Sequence, residues 1–292
     1  MTQKQANFLF LLATIGWGAS YLFTKYAVAE VLPFALVTFR FGIAFIVTFF
    51  IFRKKLLQTN KATILASAVL GVILCATFST FGFAMQTANP ASAGFFMATT
   101  VIFVPLIMMV ITRKLPTRQI TIGSIVIIAG LTLFSLKGAV TMEVGLVLCL
   151  ITAISYALHI VVNNFFARKY DALQLGIYQL GFTAIYGIIM MLLFEPISYP
   201  TSSTGWTSML LLAIICTAFG LVVQSLAQSA TTAEMTGFIF SLEPLFAALF
   251  AFIFLGEVLT GKEWLGALLI FVGVMIANYT PRKQEVYSPE TK

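Results

Sequence analysis

The chain is cut into a succession of apolar runs, each about 18 to 23 residues long, joined by short polar connections. An α-helix rises about 1.5 Å per residue, so roughly 20 apolar residues cross the hydrocarbon core of a bilayer. Helical coiling also keeps their backbone groups bonded where no water can serve them. Ten such runs begin near Asn7, Pro33, Ile64, Ala91, Gln119, Val144, Leu173, Thr207, Glu234 and Glu263. The expected fold is therefore an all-α polytopic membrane protein with ten transmembrane helices. Composition points the same way: of 292 residues, 60% are hydrophobic and 9% charged. Water-soluble domains carry about 25% charged residues. No small-residue cleavage site follows the first run, so it is expected to remain as a helix.

The net charge of +7 does not form a nucleic-acid stripe, because the basic residues sit in short clusters between apolar runs. Arg53, Lys54, Lys55 and Lys61 fall in the second connection, and Arg113, Lys114 and Arg118 in the fourth. Arg168 and Lys169 follow the sixth run and Arg282 and Lys283 the tenth, whereas the opposite side has little beyond Lys137 and Lys262. By the positive-inside rule both termini are expected in the cytoplasm, and the chain in the cytoplasmic membrane. Cys75, Cys149 and Cys216 stand alone, and His159 is the sole histidine. Neither a metal site nor a disulfide is expected, and no cofactor is implied. The stretch from Gly256 to Lys262 mimics the start of a phosphate-binding loop but lacks its Ser/Thr and a preceding strand. The sequon Asn278-Tyr279-Thr280 falls at an expected cytoplasmic helix end, so no glycosylation is implied.

The two halves resemble one another in order. Gln86-Thr87-Ala88 answers Gln228-Ser229-Ala230, Gly94-Phe95 answers Gly237-Phe238, and Pro105 answers Pro244. Gly123 to Gly130 (GSIVIIAG) matches Gly266 to Gly273 (GALLIFVG), and Ser20-Tyr21 matches Ser155-Tyr156. The expected organisation is a first five-helix repeat over 1–140, a second over 141–283, and a cytoplasmic tail over 284–292. Five is odd, so the repeats insert with opposite orientation. Secondary transporters recurrently use inverted repeats, with the substrate site near the midplane between them.

Polar residues inside such spans mark candidate sites. Gly71, Cys75, Ser79, Gly82 and Gln86 recur at helical spacing in the third span, and Thr217, Gly220, Gln224 and Gln228 in the eighth. These paired stripes are read as lining a hydrated path, against the plainer reading of small-residue packing and interhelical hydrogen bonds. Arg40 lies roughly 10 Å into the second span, where it meets a substrate anion or pairs with Glu30 or another acid. Lys25, near a helix end, is expected to snorkel. Trp17, Tyr21 and Tyr156 are candidate cavity walls, with Phe78, Phe81 and Tyr178 as further aromatics. His159 and Glu243, the latter roughly 13 Å deep, are the coupling candidates. Pro105 and Pro244 are the candidate hinges, because each removes a helix hydrogen bond.

Leu242 to Val274, LEPLFAALFAFIFLGEVLTGKEWLGALLIFVGV, resembles the second repeat of EamA-type members of the drug/metabolite transporter superfamily. GWGASYLFTKYAV with Pro33 and Arg40-Phe41 is similar to the opening of the first repeat, although RKLPTR stands where a Leu-Gly-Glu turn is expected. The resemblance implies alternating access around a cavity built chiefly by the third, fourth, eighth and ninth helices, with the fifth and tenth peripheral. It implies no enzyme activity. The expected function is export of amino acids or related small metabolites by a secondary active transporter. Efflux of aromatic or cationic drugs is the alternative within transport, and a non-transporting membrane scaffold the one outside it. A lipid-linked transferase would need clustered metal-binding acids, which the sequence lacks. The expected partners are a small-molecule substrate and the lipid bilayer, with no nucleic acid and a homodimer left open.

Overall fold

Helix is the backbone form that a single segment can adopt in hydrocarbon with its own groups satisfied, and the described residues form no strand. The computed structural model describes residues 2–88, 90–135, 144–255 and 260–278. Lys137, Glu257, most of the phosphate-loop mimic, Tyr279-Thr280 of the sequon, Arg282, Lys283, the boundary at 140/141 and the tail lie outside them.

The helices are α1 (Gln3–Val28), α2 (Pro33–Leu56), α3 (Lys61–Thr87), α4 (Pro90–Ala98), α5 (Thr100–Thr112) and α6 (Arg118–Ser135) in the first half. The second half holds α7 (Val144–Lys169), α8 (Ala172–Phe194), α9 (Ser203–Leu211), a π-helical segment (Leu212–Phe219), α10 (Gly220–Gln228), α11 (Ala233–Phe240), α12 (Glu243–Leu255) and α13 (Gly261–Asn278). Their starts are written in the sequence. Thr2, Asn60, Asp171, Ser202 and Thr232 each accept a first-turn N–H, and α2 opens on Pro33, where a missing N–H is harmless. These elements compose ten spans, of which α1, α2, α3, α7, α8 and the continuous run Ser203–Gln228 are each long and apolar enough to cross a membrane. The fourth span is α4 with α5 and the ninth is α11 with α12; α6 and α13 are the fifth and tenth.

Packing obeys an exchange between the halves. α1 packs on α10 as α3 packs on α7, α1 on α12 as α5 on α7, and α2 on the π segment as α8 on α3. The self-related pairs are α2 with α8 and α6 with α13, and in the fourth and ninth spans α4 meets α12 while α5 meets α11. That pairing pattern is the signature of two inverted five-helix repeats. The α6–α13 pair is held at backbone distance. A Cβ added at Gly130 would come within 2.8 Å of the Gly266 carbonyl oxygen, and one at Gly123 within 2.9 Å of that of Gly273.

Both proline-bearing spans are broken, though not alike. The fourth breaks at Thr99, six residues before Pro105, which lies inside α5. The ninth breaks at Ser241-Leu242, and Pro244 occupies the first turn of α12, where it lacks no hydrogen bond. Lys25, in the last turn of α1, reaches the end of α3. Its Nζ donates to the carbonyls of Met85 at 2.9 Å and Ala88 at 3.2 Å, capping the negative end of α3.

Candidate functional site

On α1, Trp17, Ser20 and Tyr21 are three and four residues apart and share one face. They look into a cavity of ≈ 30 Å³, completed by Arg40 of α2, Thr77, Phe78 and Phe81 of α3, Met97 of α4, Thr152 and Tyr156 of α7, Phe240 of α11 and Glu243 of α12. Its walls come from both halves. Lodging one water takes about 10–15 Å³ on this measure, so the cavity has room for water.

The aromatic wall is interlocked edge to face. Trp17 lies 6.2 Å from Tyr156 and 5.8 Å from Phe240, and Tyr21 lies 5.6 Å from Phe81, ring centre to centre. Trp17 Nε1 donates to the Cys216 carbonyl at 2.6 Å. Gly220 makes that approach feasible, because a Cβ there would stand 2.6 Å from the same nitrogen. π-helical turns are rare and collect at functional sites. This one presents the Cys216 carbonyl to α1 and the Thr217 hydroxyl to α2.

Arg40 is 2% exposed. Its Nε donates to Thr217 Oγ1 at 2.5 Å, and its guanidinium carbon sits 4.5 Å from the centre of the Phe78 ring. Its Nη groups make no hydrogen bond to any described residue. Glu30 is not its partner: Thr201 and Ser202 hold that carboxylate instead. Glu243 is 4% exposed, lines the cavity with Tyr21, and has no partner at Oε2. Arg40 and Glu243 line one cavity without forming an ion pair. Among the described residues the one ion pair is Lys55–Asp171 at 3.0 Å.

Gln224 and Gln228 stand behind the wall, fully buried. Tyr156 donates to Gln224 Oε1 at 2.9 Å, and Gln224 Nε2 reaches Gln228 Oε1 at 3.4 Å. Asn163 also donates to Gln228 Oε1, while Gln228 Nε2 donates to the Ile160 carbonyl at 2.9 Å. Ser225 joins Asn163 to Gln179, and Gln179 Oε1 contacts His159 Nε2 at 3.0 Å. His159 thus lies one layer out from the cavity, stacked on Tyr156, with Nδ1 unpartnered. Asn164 and Arg168 extend the zipper to the Thr231 carbonyl.

The third-helix stripe is turned away from the cavity. Gly71 packs on Phe182, and Cys75 and Ser79 open into an apolar crevice of ≈ 430 Å³ between α3 and α8. Gln86 is exposed at the end of α3. The face that α3 gives the cavity is Thr77, Phe78 and Phe81. Thr77, Met97, Thr152, Phe240, Asn163, Asn164, Gln179 and Ser225 carried no signal of their own, and Ser20 figured only in the repeat match with Ser155. The serines and threonines pass for packing residues, and the amides become conspicuous only once α7, α8 and α10 are known to meet.

A model of the EamA-like transporter family matches residues 4–136 and again residues 143–279. An "Uncharacterized transporter" of Archaeoglobus fulgidus is 28% identical over 268 residues, covering 91% of this chain and 83% of that protein. A second, from the same organism, is 26% identical over 290 residues, covering 94% and 98%. The "Uncharacterized transporter YwfM" of Bacillus subtilis is 26% identical over 180 residues, covering 60% of each. One crystal structure superposes with a TM-score of 0.76 over 94% of this chain and 96% of its own, at 18% identity, a likeness of fold.

Proposed function

Since the chain belongs to the EamA-like transporter family, we propose that it is a secondary active transporter exporting amino acids or related small metabolites across the cytoplasmic membrane by alternating access. Both termini face the cytoplasm in this reading. The observation that carries it is a single cavity walled by both repeats, in which a buried cation and a buried acid stand apart among aromatic rings. Charges buried in a membrane protein cluster on substrate and ion paths. In this reading the halves part and close around the cavity to admit and release the substrate. The breaks at Thr99 and at Ser241-Leu242 lie where the fourth and ninth spans cross, and they supply the hinges.

Glu243, on the cavity wall, is the coupling residue of first choice, and His159, one layer out, the second. The test is uptake into proteoliposomes of a panel of amino acids and amines, with and without an imposed pH gradient. Gradient-dependent accumulation of an amino acid supports the reading; no movement of any panel member overturns it.

A further inference from the structure

Arg40 and Glu243 present incomplete hydrogen bonding to the same small space. Arg40 is fixed through Nε by Thr217 and against the face of Phe78, which leaves its two Nη groups without a described acceptor. Glu243, on the same cavity wall as Tyr21, leaves Oε2 without a donor. Buried charges without partners are strongly unfavourable. Here a guanidinium and a carboxyl group line one cavity without forming an ion pair. A ligand that bridges them must be anionic at one end and cationic at the other.

We infer that the cavity is a zwitterion site, in which Arg40 takes the carboxylate of an α-amino acid through its Nη groups and Glu243 takes the ammonium. The inference rests on the transporter reading above and narrows it. The forked guanidinium matches a carboxylate in a two-point bond. Thr217 is a positioning residue: by holding Nε it turns the Nη edge inward, and the π-helical turn is what brings its hydroxyl to α2. The aromatic wall of Trp17, Tyr156 and Phe240 is left for the amino-acid side chain.

Counterflow in proteoliposomes tests this. Each amino acid carried by the wild type is compared with its decarboxylated amine, its carboxamide and its N-acetyl derivative. The site requires all three derivatives to fall by about 30-fold or more in transport efficiency, the usual scale for removing one partner of a buried charge pair. Arg40→Lys should lower efficiency for the amino acid. Thr217→Val should raise KM about tenfold with a maximal rate near that of wild type, and Thr217→Ser should restore it. Loss of folding is read separately from the thermal midpoint, and the derivative series on the wild type does not depend on it. Amines or carboxamides carried as well as the amino acid would overturn the zwitterion site while leaving a transporter. If no member of any series moves, both readings fail together.

Discussion

Glu30 and Glu195 hold the two ends of one clasp between the halves. The Glu30 carboxylate, after α1, accepts the N–H groups of Thr201 at 2.8 Å and Ser202 at 3.0 Å, at the start of α9. The Glu195 carboxylate, after α8, accepts those of Phe34 and Ala35 at 3.0–3.1 Å, at the start of α2. Leu32 N–H to Ser198 Oγ at 3.0 Å closes the gap between them. Each acid sits at the positive end of a helix from the other repeat.

The Glu30 half of the clasp carries a pH signature. The Ser202 hydroxyl, then the Ser202 and Thr201 N–H groups, hold its carboxyl down at about 2, below the ordinary 4.5. A depressed acid stabilises the fold above its unfolded pKa and loses that contribution as pH falls through the folded one. Glu30→Gln should therefore melt below wild type at pH 7. The difference in thermal midpoint should shrink from about pH 4.5 downward and close near pH 2.

Trp17 spans the halves through the Cys216 carbonyl. Trp17→Phe removes that bond and keeps the ring, for a loss of about 1 kcal/mol; Trp17→Ala also empties the wall, for about 3–5 kcal/mol. Unfolding in mixed micelles measures both, and equal losses would contradict the geometry.

The α6–α13 seam should resist any side chain. Gly130→Ala forces a Cβ against the Gly266 carbonyl, with an expected loss of about 1–3 kcal/mol. Ile125→Ala, on a position 61% exposed on the same helix, should change stability by less than about 0.5 kcal/mol.

The zipper behind Tyr156 should behave as a unit. Asn163→Leu and Gln228→Leu each strand a buried partner, at about 1–3 kcal/mol apiece. A double-mutant cycle should return a coupling of about 0.5 kcal/mol or more. Simple additivity would show that the contact contributes nothing.

Spans were legible because lipid leaves few choices, and a stretch of about 20 apolar residues is a local signal. The glycine pairs of α6 and α13 were legible for the same reason, since repeated small residues have few uses other than close approach. The facing of α3 was not. A helix apolar all round does not say which stripe is inward, and Ser79 and Gln86 proved to share a face that Thr77 and Phe81 do not. The breaks were legible only where proline stands at one, before Pro244; Thr99 has no such mark. Nor does LAIICTAF announce a π turn, because its register shift is set by Trp17, Arg40 and Gly220 from outside the segment.

The claim that a solute passes between the repeats is tested most directly at Ser20, on the cavity wall. In a protein whose Cys75, Cys149 and Cys216 are replaced by alanine and which retains counterflow, Ser20→Cys would be exposed to an impermeant maleimide. Right-side-out and inside-out vesicles would be labelled in parallel. Alternating access predicts labelling from both faces, slowed in both by a transported amino acid. Labelling confined to one face, under all conditions, would contradict it.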